Sequence, residues 1–183
     1  MRPLRLALIG VSAGLAAAWV GYRAFDVLFP RTPPALTAES GAPVDPTTIR
    51  FDTLAGEQRA ITDWTAPYLV VNFWGTWCAP CMREIPVFMR LQQQLQDRGV
   101  QFLGVAVDDA EAVREYVAKV AINYPVLLGE QQALLLNRQM GNDNGSLPYT
   151  VVLNADRELI HRQLGEWHEA DVEQWLSELG DRE

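Results

Sequence analysis

The stretch "VVNFWGTWCAPCMREIP", residues 70–86, joins an apolar run to the only two cysteines of a 183-residue chain, Cys78 and Cys81. The preceding residues complete "YLVVNFW" (68–74), a continuous apolar run that suits a strand buried on both faces. After the cysteines, apolar residues at 87, 88, 91 and 95 mark one face of a helix that stops at Gly99. The pair therefore sits where a buried strand turns into a helix. A sulfur at position 78 would lie beside the helix's unpaired N–H groups, where the macrodipole favours a thiolate. A lowered thiol pKa makes that sulfur the attacking one. Cys81, one turn later on the same side, would be more buried and placed to resolve a mixed disulfide. Pro80 falls at an early helical position, where its missing N–H costs little.

Two other readings of the pair are weaker. A purely structural bridge over three residues would close a tiny loop and remove little entropy from the unfolded chain. A zinc site would need about four ligands, and His161 and His168 are the only histidines; the spacing matches no familiar finger and no second CxxC exists. Both histidines read as surface residues, and no metal site is expected. A redox dithiol remains, and the absence of any other cysteine suits one, because spare thiols would reshuffle with the pair.

Working outward, elements alternate in type. Strands are expected at "TIRFDTL" (48–54), "VQFLGVAV" (100–107), "YPVLL" (124–128), "YTVVLN" (149–154) and "LIHRQL" (159–164), the last two joined by the turn "ADRE". Helices are expected at "DDAEAVREYVAKV", capped by aspartate and apolar along Ala112, Val113, Tyr116, Val117 and Val120, at "EQQALLLNRQM" and at "EADVEQWLSEL". Strands alternating with helices imply an α/β sandwich around a largely parallel sheet with an antiparallel hairpin at its C-terminal edge. Trp74, Trp167 and Trp175 read as core; Trp77, beside the first cysteine, reads as an exposed apolar lip. Met82 and Met89 read as packing residues.

The N-terminal part is of another kind. Residues 6–22, "LALIGVSAGLAAAWVGY", are uncharged and follow the basic "MRPLR". As a helix they would extend roughly 26 Å, against a hydrocarbon core of about 30 Å, with Arg5 and Arg23 able to snorkel. Two expectations follow for residues 1–29: a retained membrane anchor, or a signal segment cleaved near the small residues 16–18. Either one exports the rest. Residues 30–46 hold five of the eleven prolines and no aromatic residue, which reads as a solvated linker; the globular domain is expected over 47–183. The formal charge is −8, yet Arg2, Arg5, Arg23 and Arg31 stand against Asp26 alone in the first 31 residues, so the remainder is more acidic still. Such a surface repels phosphate backbones, and nucleic-acid binding is not expected.

The motif "VVNFWGTWCAPCMREIP" resembles the active site of the thioredoxin superfamily and, within it, the membrane-tethered TlpA/ResA-type reductases of bacterial envelopes. The likeness extends over about residues 47–179, including a proline five residues after the second cysteine, Pro86, and an inserted segment near 109–128. It implies a thioredoxin-like three-layer sandwich with a central mixed sheet and a thiol:disulfide oxidoreductase with no cofactor. Thioredoxins proper carry a buried aspartate six residues before the first cysteine; this chain has Asn72, as the TlpA/ResA type does, with a glutamate three residues after the second cysteine, Glu84. The resemblance makes Glu84 the group that handles the proton of Cys81, which requires a raised pKa through burial. It also implies a cis bond at Leu147–Pro148, opposite the dithiol, where the backbone pairs with an extended substrate. The preceding "GNDNGS" would shape the partner groove.

Ala79-Pro80 between the cysteines is nearer to the pairs of reducing family members than to the Pro-His of strong oxidants. The resemblance therefore implies a protein-disulfide reductase in the bacterial periplasm or envelope, tethered to the inner membrane by residues about 6–22. Its partners would be exported proteins with disulfides, such as apocytochrome c or another metalloprotein awaiting its cofactor, and a membrane thiol electron donor. "GSLPYT" departs from the "GAPE"-type segment of the haem-maturation branch. A disulfide oxidase and a copper-handling dithiol are the alternatives. A peroxidatic cysteine would follow a Ser or Thr by three residues, whereas Thr76 precedes Cys78 by two, so peroxide chemistry is not expected.

Overall fold

The computed structural model describes residues 49–180, with side chains through Ser177. The expected anchor or signal segment and the linker lie outside the described residues. Among the described residues no helix is long and apolar enough to cross a membrane.

The strands are β1 (Arg50–Thr53), β2 (Gln58–Ala60), β3 (Tyr68–Trp74), β4 (Val100–Ala106), β5 (Val126–Leu128), β6 (Tyr149–Leu153) and β7 (Leu159–Leu164). The helices are α1 (Ala79–Leu95), α2 (Ala110–Val120), α3 (Glu130–Gln139) and α4 (Glu169–Gly180). All seven strands form one sheet in the order β2-β1-β5-β4-β3-β6-β7. β3 lies between β4 and β6 and is buried from Leu69 to Trp74, which is why its sequence is an unbroken apolar run rather than an alternating one.

The two faces of the sheet are read off that strand, because successive side chains point to opposite sides. Leu69, Val71 and Phe73 pack with Leu103, Val105, Val151 and with Ala133 and Leu136 of α3. Val70 packs with Phe102, Val152, with Phe88 and Leu91 of α1 and with Val172 and Trp175 of α4. Further along the same face, Trp74 packs with the two cysteines, Ile85 of α1 and Val113 of α2. The result is a three-layer sandwich with α3 on one face and α1, α2 and α4 on the other. Local signals explain the helix ends. Asp109 caps α2 by accepting from the N–H groups of Glu111 and Ala112, and Gly99, at φ +79°, takes the left-handed turn that releases the chain from α1 into β4.

The expectation of a largely parallel sheet is corrected. Only β3–β4 and β4–β5 run parallel; β3–β6, β6–β7, β1–β5 and β1–β2 are antiparallel. The reason lies in where α3 delivers the chain. β5 ends at Leu128 opposite Ala106, which is opposite Trp74, and β6 begins at Tyr149 opposite Phe73. α3 and its loop cross the sheet sideways and return the chain to the same end, so β6 must run back. The short strand β2 was not foreseen either. Three residues hairpinned onto β1 carry too little periodicity to be seen. His161 is also corrected. It is half-buried rather than open, standing opposite Val152 on the face covered by α1 and α4, where its ring stacks on Trp167 at 5.0 Å and lies 5.8 Å from Trp175. His168 is exposed.

Candidate active site

Cys78 is the residue that caps α1, with φ −90° and ψ 98°, and its Sγ accepts the N–H of Cys81 at 3.3 Å. The two cysteines are joined in a disulfide with Cα atoms 5.3 Å apart. Cys78 is 4% exposed and Cys81 fully buried. The outer sulfur is therefore the one a partner can reach, and the helix N-terminus that supplies its N–H also favours its anionic form.

The loop leading into the pair is held from below. The N–H and the hydroxyl of Thr76 both donate to Asp108 Oδ2 at 2.6 Å, and Asp108 Oδ1 accepts the N–H of Asp109 at 2.8 Å. Asp108 follows the end of β4, so the parallel β3–β4 pairing brings it beside the turn after β3. Reading the residues one by one missed this pair, since a threonine and an aspartate 32 positions apart give no local signal. Gly75 lies under the indole of Trp77: a Cβ there would stand 2.8 Å from its Nε1 and would displace the ring. Trp77 itself is 66% exposed, the most open of the large apolar side chains among the described residues.

The Leu147–Pro148 peptide bond is cis. Leu147 packs against the cluster that contains Cys78 and Cys81, and the carbonyl of buried Pro148 accepts the N–H of Gly165 at 2.9 Å. The structure thus assembles Trp77, Cys78, Cys81, Leu147 and Pro148 at one end of the sheet. Asn142, in the loop before them, closes that loop by donating from Nδ2 to the Ser146 carbonyl at 2.7 Å.

Glu84 lies one turn beyond Cys81 and is 1% exposed. Its Oε1 accepts Nδ2 of Asn72 at 2.7 Å, and its Oε2 accepts the N–H of Trp167 at 3.1 Å. The same Nδ2 also donates to Thr150 Oγ1 at 3.0 Å, across the β3–β6 pairing that sets Asn72 opposite Thr150. Burial is the dominant effect and raises the Glu84 pKa from 4.5 to about 7; the two hydrogen bonds pull the other way, and the nearby Glu166 adds to the rise. A carboxyl that ionises near neutrality, one helical turn from a buried sulfur, can accept and return a proton within the site. Thr150, Glu166 and the Trp167 N–H were invisible to local sequence reasoning, because each reaches Glu84 only through strand register or the closing loop. Asn72 Oδ1, Trp74 Nε1 and Tyr124 Oη, on the same side of the sheet, are buried without a hydrogen-bond partner among the described residues.

A thioredoxin-like fold carrying a CxxC pair at a helix N-terminus beside a cis-proline defines a thiol:disulfide oxidoreductase. Residues 43–162 match the AhpC/TSA family, and the chain belongs to it. It is 28% identical over 127 residues to the thiol-disulfide oxidoreductase ResA of Geobacillus thermodenitrificans, covering 69% of this chain and 71% of that protein. Among solved structures it resembles a thiol:disulfide interchange protein of Chlorobium tepidum at 27% identity and a TM-score of 0.59, with 69% and 88% of the two chains covered. A secreted thiol-disulfide isomerase from Corynebacterium glutamicum is similar at 26% identity and a TM-score of 0.60, with 69% and 79% covered. The chain is thus a TlpA/ResA-like member of the thioredoxin superfamily, and its redox pair is Cys78–Cys81.

Proposed function

We propose that the protein is an exported reductase, held at the inner membrane by residues about 6–22, that reduces disulfides in envelope proteins such as apocytochrome c or another metalloprotein before its cofactor is attached. The observation that carries the direction is Glu84. A buried carboxyl beside the pair opposes negative charge there, which offsets part of the stabilisation that the helix N-terminus gives the Cys78 thiolate. The less the reduced form is stabilised, the more readily the dithiol gives up its electrons. Ala79-Pro80 supports the same direction, and the Corynebacterium relative described as secreted supports export.

In this reading the reaction proceeds in two exchanges. The thiolate of Cys78 attacks one sulfur of a substrate disulfide, forming a mixed disulfide and expelling a substrate thiolate. Glu84 takes the proton of Cys81, whose sulfur then attacks Cys78 Sγ, expelling the second substrate thiolate. The enzyme ends as the disulfide seen here, two electrons have passed to the substrate, and both substrate thiolates take protons, one of them derived from Cys81. Trp77, Leu147 and Pro148 bind the extended substrate segment. A membrane thiol donor restores the pair.

The first test is the reduction potential of the Cys78/Cys81 couple, measured by equilibration in graded dithiol buffers. A value near about −270 mV, in the thioredoxin range, agrees with a reductase; one near about −120 mV, the strong-oxidant range, reverses the direction. A Cys81→Ser variant then captures the client as a mixed disulfide, which identifies it directly.

A further inference from the structure

Arg83 and Arg90 stand seven positions apart on α1, and each holds a glutamate of the segment that follows β7. Arg83 reaches Glu166 Oε2 with Nε at 2.9 Å and Nη2 at 2.6 Å. Arg90 Nη2 reaches Glu169 Oε2 at 2.6 Å. The two pairs share a chemistry and tie the same two segments together. They differ in what is attached to them. Glu166 immediately precedes Trp167, whose N–H lies on Glu84 Oε2, and Arg83 immediately precedes Glu84. Glu169 opens α4 and bears no donor to the site.

We propose that Arg83 and Glu166 are positioning residues for Glu84: their ion pair holds the Trp167 N–H on the buried carboxylate. The indole of Trp167, packed on Phe88 and His161, anchors the residue, while the pair fixes the turn of backbone just before it. The inference rests on the proton-handling role given to Glu84 above. Arg83 is 61% exposed and Glu166 19%, so the pair adds little to stability, and its effect is felt instead at the carboxyl it positions.

The groups that act on Glu84 come from several elements. Arg83 is on its own helix; Glu166 comes from the β7–α4 loop, with His168 Nδ1 at 3.7 Å from Glu166 Oε1. Tyr124, before β5, interacts with Glu84 electrostatically and is itself influenced by Tyr116 of α2. Asn72 and Thr150 are neutral. Replacing Arg83 by a neutral residue has two effects of one sign. The backbone donor that favours the ionised carboxyl is released, and the charge on Glu166 is left without its counter-ion. Both push Glu84 toward its protonated form.

The test uses the full chain in its disulfide form, in which no thiol titrates, with the Glu84 carboxyl carbon and the Trp167 amide followed by NMR against pH. In Arg83→Gln the Glu84 midpoint is expected to rise by ~0.5 pH unit, and the Trp167 amide to lose its inflection at that midpoint. Glu166→Gln, which cuts the same link from the other side, is expected to lose the inflection too. Arg90→Gln, equal in kind but carrying no donor, is expected to change neither readout. The proposal is overturned if the amide keeps its inflection in Arg83→Gln or Glu166→Gln, or if Arg90→Gln shifts Glu84 as far as Arg83→Gln does. Because no turnover enters, this outcome is separate from the proton-handling role of Glu84, which is judged by the reduction rate of Glu84→Gln.

Discussion

The two faces of β3 are built from alternate residues of one seven-residue strand, yet they do different work. Leu69, Val71 and Phe73 enter an apolar cluster closed by α3. Val70, Asn72 and Trp74 face α1, and the middle residue of these three carries the amide that meets Glu84 and Thr150. One polar side chain on a period-2 strand separates a face that only holds the molecule together from one that handles charge. The contrast teaches why a polar group can be tolerated at the centre of this sheet. It is buried, but Nδ2 of Asn72 has two acceptors and Glu84 has a backbone donor as well, which leaves Oδ1 of Asn72 as the one atom of the group without a partner among the described residues.

The sharpest break between the faces is at Cys78. Replacing it with serine is expected to abolish disulfide exchange while leaving the fold intact, since the capping position accepts serine readily; turnover with a disulfide substrate and a circular dichroism melt read the two halves. Residual turnover would move the chemistry elsewhere. On the opposite face, Leu69→Ala is expected to cost about 4 kcal/mol of stability, because the side chain is fully buried on a central strand. The reduction rate per folded molecule should stay as it was. A changed rate would mean that the apolar face reaches the site.

Glu84 gives the pH signature of the charged face. Its carboxyl binds a proton more tightly in the folded chain, with a pKa of about 7, than at its ordinary value of 4.5. The folded state therefore carries the extra proton between those values. The associated stability is complete below pH 4.5 and is lost as pH rises through 7, by roughly 3 kcal/mol in all. Denaturant midpoints from pH 4 to pH 8 should show this decline in the wild-type chain and not in Glu84→Gln; identical slopes would mean that the carboxyl is solvated. Trp77 belongs to neither face. Trp77→Ala is expected to leave stability unchanged and to lower kcat/KM for a protein disulfide by ~10-fold, about 1.4 kcal/mol, with little effect on a small disulfide. An equal loss on both substrates would place the indole in the chemistry rather than in binding.

The strand, the cysteine pair and its helix, and the order of the inserted elements were legible in the chain itself. Their signals are local: an apolar run, a 3.6-residue period, Asp109 before a helix and Gly99 after one. Position at the strand–helix junction also set the relative burial of the cysteines, since residues one turn apart on a helix share a side. The parts that local signals could not carry were strand direction and whatever register brings together. Periodicity is the same for a strand run forward or backward, so the antiparallel placement of β6, and the delivery of Leu147–Pro148 to the dithiol, depended on where α3 leaves the chain. His161 came to lie half-buried against Trp167 for the same reason, through its pairing opposite Val152. The surroundings of Glu84 were beyond reach of its neighbours in sequence, because Asn72, Thr150 and Trp167 arrive from three other segments. The identity of the reacting atoms was written in residues 78 and 81. The pKa of the carboxyl beside them was decided by burial, and burial is a property of the assembled layers alone.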